Sequence, residues 1–441
     1  MASIDFDAID EKLLQSLVDE GVLEDINLEY KRELPSKICE TQLNKTEKKE
    51  ILQDISAFAN TDGGLLIYGI EDRKGVPKAL VGLSFSKEQS TAIRDKISDY
   101  VKYNLEPPIY SIDFRDIDVL QSKVAFVFRI RKSVNAPHRI KLKDSDVFYG
   151  RRSNGVYPMN VDDMRAAFTL SEARTQMIRS FKNSSVSYAP YDADSVLPFK
   201  TDAKILLHLI PADAFVAGKR YELNALFKDS EALKPMFRRA GGFSNVGPHS
   251  KITRRFNLNG ILKFCYYVYR TPDPVANRNI ETKWAQYTKV QLHTNGIIEA
   301  SEGMMLNENG TKHLNIDFLE SGVIDCVRDY LDCLQHLGVT PPIFTFLTLT
   351  GVEGYDLSKS WTCYPDAFGA TIDTNVLEVA ETLIPEFGVE SAMAMKPCFD
   401  SIWNACGYPK SMNFDKEGKY RPQDSQAHLN EAVHEYYPPK S

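Results

Sequence analysis

Ala57-Phe-Ala-Asn-Thr-Asp-Gly-Gly64, followed by Leu65-Leu-Ile-Tyr-Gly-Ile70, is the stretch on which the reading of the fold turns. Before it, Glu47 to Asn60 places Ile51, Leu52, Ile55, Phe58 and Ala59 at helical spacing. Thr61-Asp-Gly-Gly64 is turn chemistry that stops such a helix, and Leu65–Ile70 then reads as a buried strand leaving the turn directly. Working outward, Asp7 is positioned to cap a first helix with Leu13, Leu14, Leu17 and Val18 on one face, closed by Gly21. Leu28-Glu-Tyr-Lys-Arg-Glu-Leu34 alternates, with Leu28, Tyr30 and Leu34 on one side and Glu29, Lys31 and Glu33 on the other. Lys87–Tyr103 fits a helix, Lys123–Arg131 a strand and Val161–Ala173 a closing helix, so residues 1–180 form a mixed lobe.

Near Ser180–Asp192 the chain turns polar and loses its period, which reads as a linker. Beyond it, Lys204–Ile210, Leu262–Tyr269, Trp284–Leu292 and Pro342–Leu349 read as strands and Asp317–Leu337 as a long amphipathic helix. Residues 190–441 are therefore a second domain of unknown role, and the fold class is α+β. Tyr420 onward is polar and reads as a frayed tail.

Three acidic positions carry candidate chemistry: Glu24, Glu29 and Asp72, the last just past the Leu65–Ile70 strand. Lys31 shares a strand face with Glu29. A hard divalent cation takes oxygen ligands, usually one or two carboxylates completed by water and substrate phosphate. Such an ion positions a water and stabilises attack on phosphorus, and a nearby lysine offsets charge on the phosphoryl oxygens. Residues five apart share a face on neither strand nor helix, so Glu24 and Glu29 converge only if Asp25-Ile26-Asn27 turns. The plainer alternative makes Glu24 a helix-end decoration and Glu29 with Lys31 a surface pair.

Glu24-x4-Glu29-Tyr-Lys31, Ala57–Gly64 and Leu65–Asp72, with the later Phe148-Tyr-Gly-Arg-Arg-Ser-Asn-Gly155, resemble the Schlafen-type AlbA-like domain over roughly residues 20–170. The resemblance implies a metal-dependent endoribonuclease that cuts tRNA or other structured RNA, in a defence or stress setting. Carried over residue by residue, it places Mg²⁺ or Mn²⁺ on Glu24, Glu29 and Asp72, and the scissile phosphate on Lys31. The alternative it leaves is a non-catalytic DNA-binding regulator using the same basic face. Larger members carry two such lobes around duplex-like RNA, and this chain shows one motif set. A homodimer supplying a second wall is therefore expected.

The whole chain has 53 Lys+Arg against 60 Asp+Glu, a formal charge of −7, so any phosphate-binding surface must be local. One candidate is the stretch holding Lys123, Arg129, Arg131, Lys132, Arg139, Lys141, Lys143, Arg151 and Arg152, opposed locally by Asp144 and Asp146. Lys123, Arg129, Arg131, Arg139, Arg151 and Arg152 are the expected nucleic-acid contacts, the other reading being a solvated face balanced by the acidic first 30 residues. The seven cysteines are scattered without a Cys-x-x-Cys pair, which fits buried thiols in a reducing compartment. Cys326, Cys333 and His336 share a helix period, a pattern of core packing more often than of zinc. Gly242–Gly247 has P-loop glycine spacing but continues Pro-His, so it lacks the phosphate lysine. The acidic N-terminus lacks a signal-peptide pattern, and Pro341–Val352 is too short to span a bilayer, so the expected location is cytoplasmic, without membrane contact.

Overall fold

The computed structural model describes residues 6–34, 45–85, 87–109, 112–120, 123–142, 145–189, 199, 202–229, 233, 251–272, 280–303, 312–358, 370–424 and 427–428. The chain divides into two compact units, Met1–Arg174 and Thr175–Ser441.

The first unit opens with α1 (Glu11–Asp19), whose cap is Asp10 rather than Asp7: the Asp10 carboxylate accepts the Leu13 N–H at 2.8 Å. Asp7 instead lies in the short 3₁₀ turn Phe6–Ala8. Four strands then make the main sheet. β1 (Leu28–Lys31) runs parallel to β2 (Gly63–Tyr68), and α2 (Lys45–Asn60) is the crossover between them. A hairpin of β3 (Ile70–Arg73) and β4 (Val76–Leu80) follows, then α3 (Lys87–Asn104) and the short β5 (Leu105–Glu106). β6 (Asp113–Val119) pairs with β7 (Lys123–Arg131), giving the order β1-β2-β7-β6. β8 (Arg139–Leu142), β9 (Ser145–Arg152) and β10 (Gly155–Pro158) build a second sheet, ordered β10-β9-β8-β5.

β7 is buried on both faces, which is why its apolar run is nearly unbroken. Val124, Phe126, Phe128 and Ile130 join the core under α2 and α3. Ala125 and Val127 join the opposite core with Leu14, Leu17, Leu28, Tyr30 and Ile67. Leu34 packs in the α2 core, away from Leu28 and Tyr30, because β1 ends at Lys31 and its alternation stops there.

α4 (Val161–Tyr188) continues far past Ala173, so the stretch 180–188 read as a linker is helix. Tertiary contacts explain the missing period: Ile178, Lys182 and Val186 are buried, Lys182 pairs with Glu378 at 2.7 Å, and Ser185 meets His208 at 2.9 Å.

The second unit is an antiparallel sheet. Its strands are β11 (Lys204–Pro211), β12 (Lys251–Asn257), β13 (Gly260–Pro272), β14 (Ile280–His293) and β15 (Ile298–Glu302). β16 (His313–Asn315) and β18 (Asp356–Ser358) form a separate parallel pair. β17 (Ile343–Thr350), β19 (Val376–Glu378) and β20 (Thr382–Ile384) complete the large sheet, ordered β12-β13-β14-β15-β11-β17-β19 with β20 also on β17. After the short α5 (Asn224–Lys228), the two larger helices α6 (Ile316–His336) and α7 (Ser391–Ala405) supply the core on one face through Val323, Tyr330, Met395 and Trp403. The Gly242–Gly247 stretch lies outside the described residues, as does most of the chain after Asp424.

Candidate functional site

Glu24 and Glu29 are brought together by the turn their spacing requires. Asp25 and Leu28 bridge through their backbones at 3.1 and 3.4 Å, and the Asp25 carboxylate accepts the Asn27 N–H at 2.7 Å. The Glu24 side chain folds back, its Oε1 accepting the Tyr30 N–H at 2.8 Å. On β1, Leu28 and Tyr30 face the α1 core while Glu29 and Lys31 face α2.

Glu29 has both oxygens engaged: Oε1 accepts from Lys31 Nζ at 2.7 Å, and Oε2 accepts from Arg151 Nη2. Lys31 also reaches Asp54 Oδ2 of α2 at 3.6 Å. Arg151, expected to contact a nucleic-acid backbone, is 2 % exposed and points inward. Its guanidinium stacks 4.3 Å over the Phe58 ring and donates to the carbonyls of Asp25 and Leu28, so it holds the turn as well as Glu29. That correction follows from burial: the guanidinium is shut away from solvent and phosphate, even though its Nη1 makes no hydrogen bond in the structure.

Asp72 stands on β3 before a two-residue turn, Lys74 and Gly75, both at positive φ (58° and 75°). Its Oδ2 accepts the Gly75 N–H at 3.1 Å, and the Gly75 carbonyl accepts the Glu24 N–H at 2.8 Å. A Cβ on Gly75 would lie 3.1 Å from Glu24 Oε2, so the hairpin turn rests against the Glu24 carboxylate.

The motif Ala57–Gly64 earns its residues structurally. Asn60 Nδ2 donates to the carbonyls of His138 and Tyr149 at 2.9 and 2.8 Å, and its Oδ1 accepts the His138 N–H at 2.7 Å. Thr61 Oγ1 accepts the Arg151 N–H at 3.0 Å. A Cβ at Gly64 would fall 2.3 Å from the Asn27 carbonyl, so only glycine lets β2 approach the acidic turn this closely.

Electrostatics separate the carboxylates. Burial, with added repulsion from Glu29 and Asp72, pushes Glu24 up to about 7 despite the Tyr30 hydrogen bond. Burial acts on Glu29 too, but Lys31 and Arg151 outweigh it and hold Glu29 below the ordinary carboxylate range. Asp54, buried behind Lys31, is pushed up to about 6 by desolvation.

Among the described residues, no group of three or more His, Cys, Asp or Glu side chains is arranged around a common metal position. Each oxygen of Glu29 already accepts from a cation of the fold. Glu24 and Asp72, each with one carboxylate oxygen accepting a backbone N–H, are the two acids that could hold an ion completed by water and phosphate.

The basic stretch after residue 121 is largely consumed by partners that sequence distance concealed. Arg129 and Arg131 both pair with Asp113, at 2.7 and 3.0 Å, and Arg129 also stacks 4.3 Å from the Phe6 ring. Lys123 Nζ donates to the Val81 carbonyl at 2.8 Å. Lys132 pairs with Asp62 at 2.8 Å, and Arg139 with both Glu106 and Asp146. Arg152 stacks 4.0 Å from Tyr157 and lies 3.8 Å from Asp163. Lys143 and Asp144 lie outside the described residues. His138 is buried, and desolvation pushes it down to about 4. Cys326 and Cys333 sit in the α6 core, and exposed His336 bonds its own helix at the Asp332 carbonyl.

Asp54 and the inward role of Arg151 escaped the sequence reading. Asp54 left a signal, being an acid between Ile51 and Phe58 on the apolar face of α2.

The family described as Schlafen, AlbA_2 matches residues 24–160, which make up a Schlafen-type AlbA-like domain. No curated protein matches the chain. Among solved structures, the DIP2311 protein of Corynebacterium diphtheriae is 15% identical over 33% of this chain, with a TM-score of 0.23, and the match spans only 26% of that protein. The N-terminal domain of a Nitrosomonas europaea protein related to the ATP-dependent DNA helicase RecG is 21% identical, covering 32% of this chain and 86% of that domain, with a TM-score of 0.24. No described helix is long and apolar enough to cross a membrane.

Proposed function

We propose that the N-terminal lobe is a metal-dependent endoribonuclease that hydrolyses phosphodiesters in tRNA or other structured RNA. The observation that carries this reading is the pairing of Glu24 and Asp72 across the Gly75 turn, beside a closed set of Glu29, Asp54, Lys31 and Arg151. Glu24 and Asp72 would hold Mg²⁺ or Mn²⁺, and the ion would supply Lewis-acid stabilisation of the phosphoryl oxygens and a lowered pKa for its bound water. Glu29 orients Lys31, whose side chain keeps 37% exposure and so stays available to a phosphate oxygen. Arg151 fixes the turn that sets Glu24 against Glu29.

The rival is a nucleic-acid-binding regulator that does not cut, and the double engagement of Glu29 favours it, because that carboxylate is already neutralised without a metal. Incubating the protein with tRNA in Mn²⁺ or EDTA separates the two. The nuclease yields new RNA ends only with the metal. The regulator leaves RNA intact and binds a defined duplex DNA equally well in EDTA.

A further inference from the structure

We infer that substrate phosphates are gripped by the tip of the β3–β4 hairpin, through Arg73 and Lys74, and not by the basic stretch that begins at Lys123. This rests on the nuclease reading and says which surface presents the RNA to it. Charge availability makes the first case. Lys123, Arg129, Arg131, Lys132, Arg139 and Arg151 pair with carboxylates or carbonyls of the fold and Arg152 stacks on Tyr157, which leaves Lys141 as the exposed cation of that stretch without such a partner among the described residues. Arg73 and Lys74 are exposed, and their side chains have no hydrogen-bond or ion-pair partner among the described residues.

Position makes the second. Lys74 occupies left-handed backbone at φ 58°, a conformation few non-glycine residues adopt, at the crest of the turn. The same turn is tied to both candidate ligands, by Asp72 Oδ2 to Gly75 N–H and by Glu24 N–H to the Gly75 carbonyl. A phosphate held by Arg73 and Lys74 is therefore registered against Glu24 and Asp72 by backbone hydrogen bonds and not by a mobile loop. Cations and carboxylates on one short hairpin have separate tasks: the cations hold the flanking phosphates, and the carboxylates stay free for the cut site.

The test is binding of fluorescein-labelled unfractionated tRNA in EDTA across a salt series, with Arg73→Gln/Lys74→Asn against Lys132→Ala/Lys141→Ala. Both pairs remove two charges, and Asn accepts the left-handed backbone at position 74. The hairpin pair is expected to weaken binding at least tenfold at low salt and to lower the log–log salt slope by about 1.4, two phosphate contacts at about 0.7 each. The strand pair should leave the slope nearly unchanged. The reverse pattern, or equal effects from both pairs, overturns the inference while leaving the nuclease reading standing. A parental protein that neither binds nor cuts tRNA overturns both.

Discussion

Two carboxylates among the described residues, Glu24 and Glu320, are pushed up to about 7, and they answer to opposite circumstances. Glu320, on α6, is fully buried and accepts from Trp403 Nε1 at 2.7 Å, Ser411 Oγ at 2.8 Å and Asn413 Nδ2 at 2.8 Å. Burial raises it, three donors restrain the rise, and the result clamps residues 403–413 onto α6. Glu24 is only half-buried, accepts one backbone N–H, and faces Glu29 and Asp72. A raised proton affinity is thus a sign of unmet need at one position and of a satisfied joint at the other. Counting donors tells them apart where the titration does not.

Substitution at each carboxylate is the strongest way to break the comparison. Glu24→Gln or Asp72→Asn should abolish metal-dependent RNA cleavage and leave the melting temperature unchanged or raised, since each relieves repulsion among like charges. Cleavage at the parental rate by either variant would sink the ligand assignment. Glu320→Ala should do the reverse, leaving RNA cleavage by the lobe intact while destabilising the second unit by about 3 kcal/mol through three stranded donors. Denaturant titration followed by Trp fluorescence measures that loss.

Arg151→Met comes next in size and tests whether the N-terminal cluster also contains a joint. Removing the guanidinium leaves Glu29 buried beside Lys31 alone, a loss of about 3–5 kcal/mol for a broken buried pair. A variant as stable as the parent would show that Arg151 is not the clamp described above.

Gly75→Ala should cost less, about 1–2 kcal/mol, because alanine resists a φ of 75° and its Cβ meets Glu24 Oε2 at 3.1 Å. Cleavage should fall further than stability does, since the displaced carboxylate is one of the two proposed ligands.

The smallest effect is a pH dependence. The folded-state value for Glu24, about 7, lies above its ordinary 4.5, so between those values the folded chain binds more protons than the unfolded one. Stability contributed by Glu24 is therefore full below about pH 4.5 and is lost as pH rises through 7. Glu24→Gln should be more thermostable than the parent at pH 8 and nearly equal to it at pH 4.5, and millimolar Mn²⁺ should narrow the gap at pH 8. An equal gap at both pH values would place the repulsion elsewhere.

Much of the lobe could be read along the chain. Ala57–Gly64 announces helix, stop and strand because a 3.6 period gives way to glycines and then to an apolar run. α3 and α6 likewise lie within a residue or two of their sequence limits. α4 could not be read to its end, since residues 180–188 are helical through contacts with His208 and Glu378 that no local pattern records. Among the site residues, Glu24 and Glu29 were legible as candidates, with the Asp25–Asn27 turn stated as their condition. Arg151 was legible as a charge and misread as a surface one.

What the sequence by itself determined is the set of local propensities: the α+β class, the helix–turn–strand at Asn60–Leu65, and the short list of acids able to carry chemistry. Those follow from periodicity, glycine and side-chain type, which act over a few residues. The tertiary structure alone decided which charges are free. Asp113 takes Arg129 and Arg131, Glu29 takes Arg151 from 122 positions away, and Glu24 and Asp72 are left to share the Gly75 turn. Charge pairing and desolvation depend on distance in space and on excluded water, and the chain order encodes neither one directly.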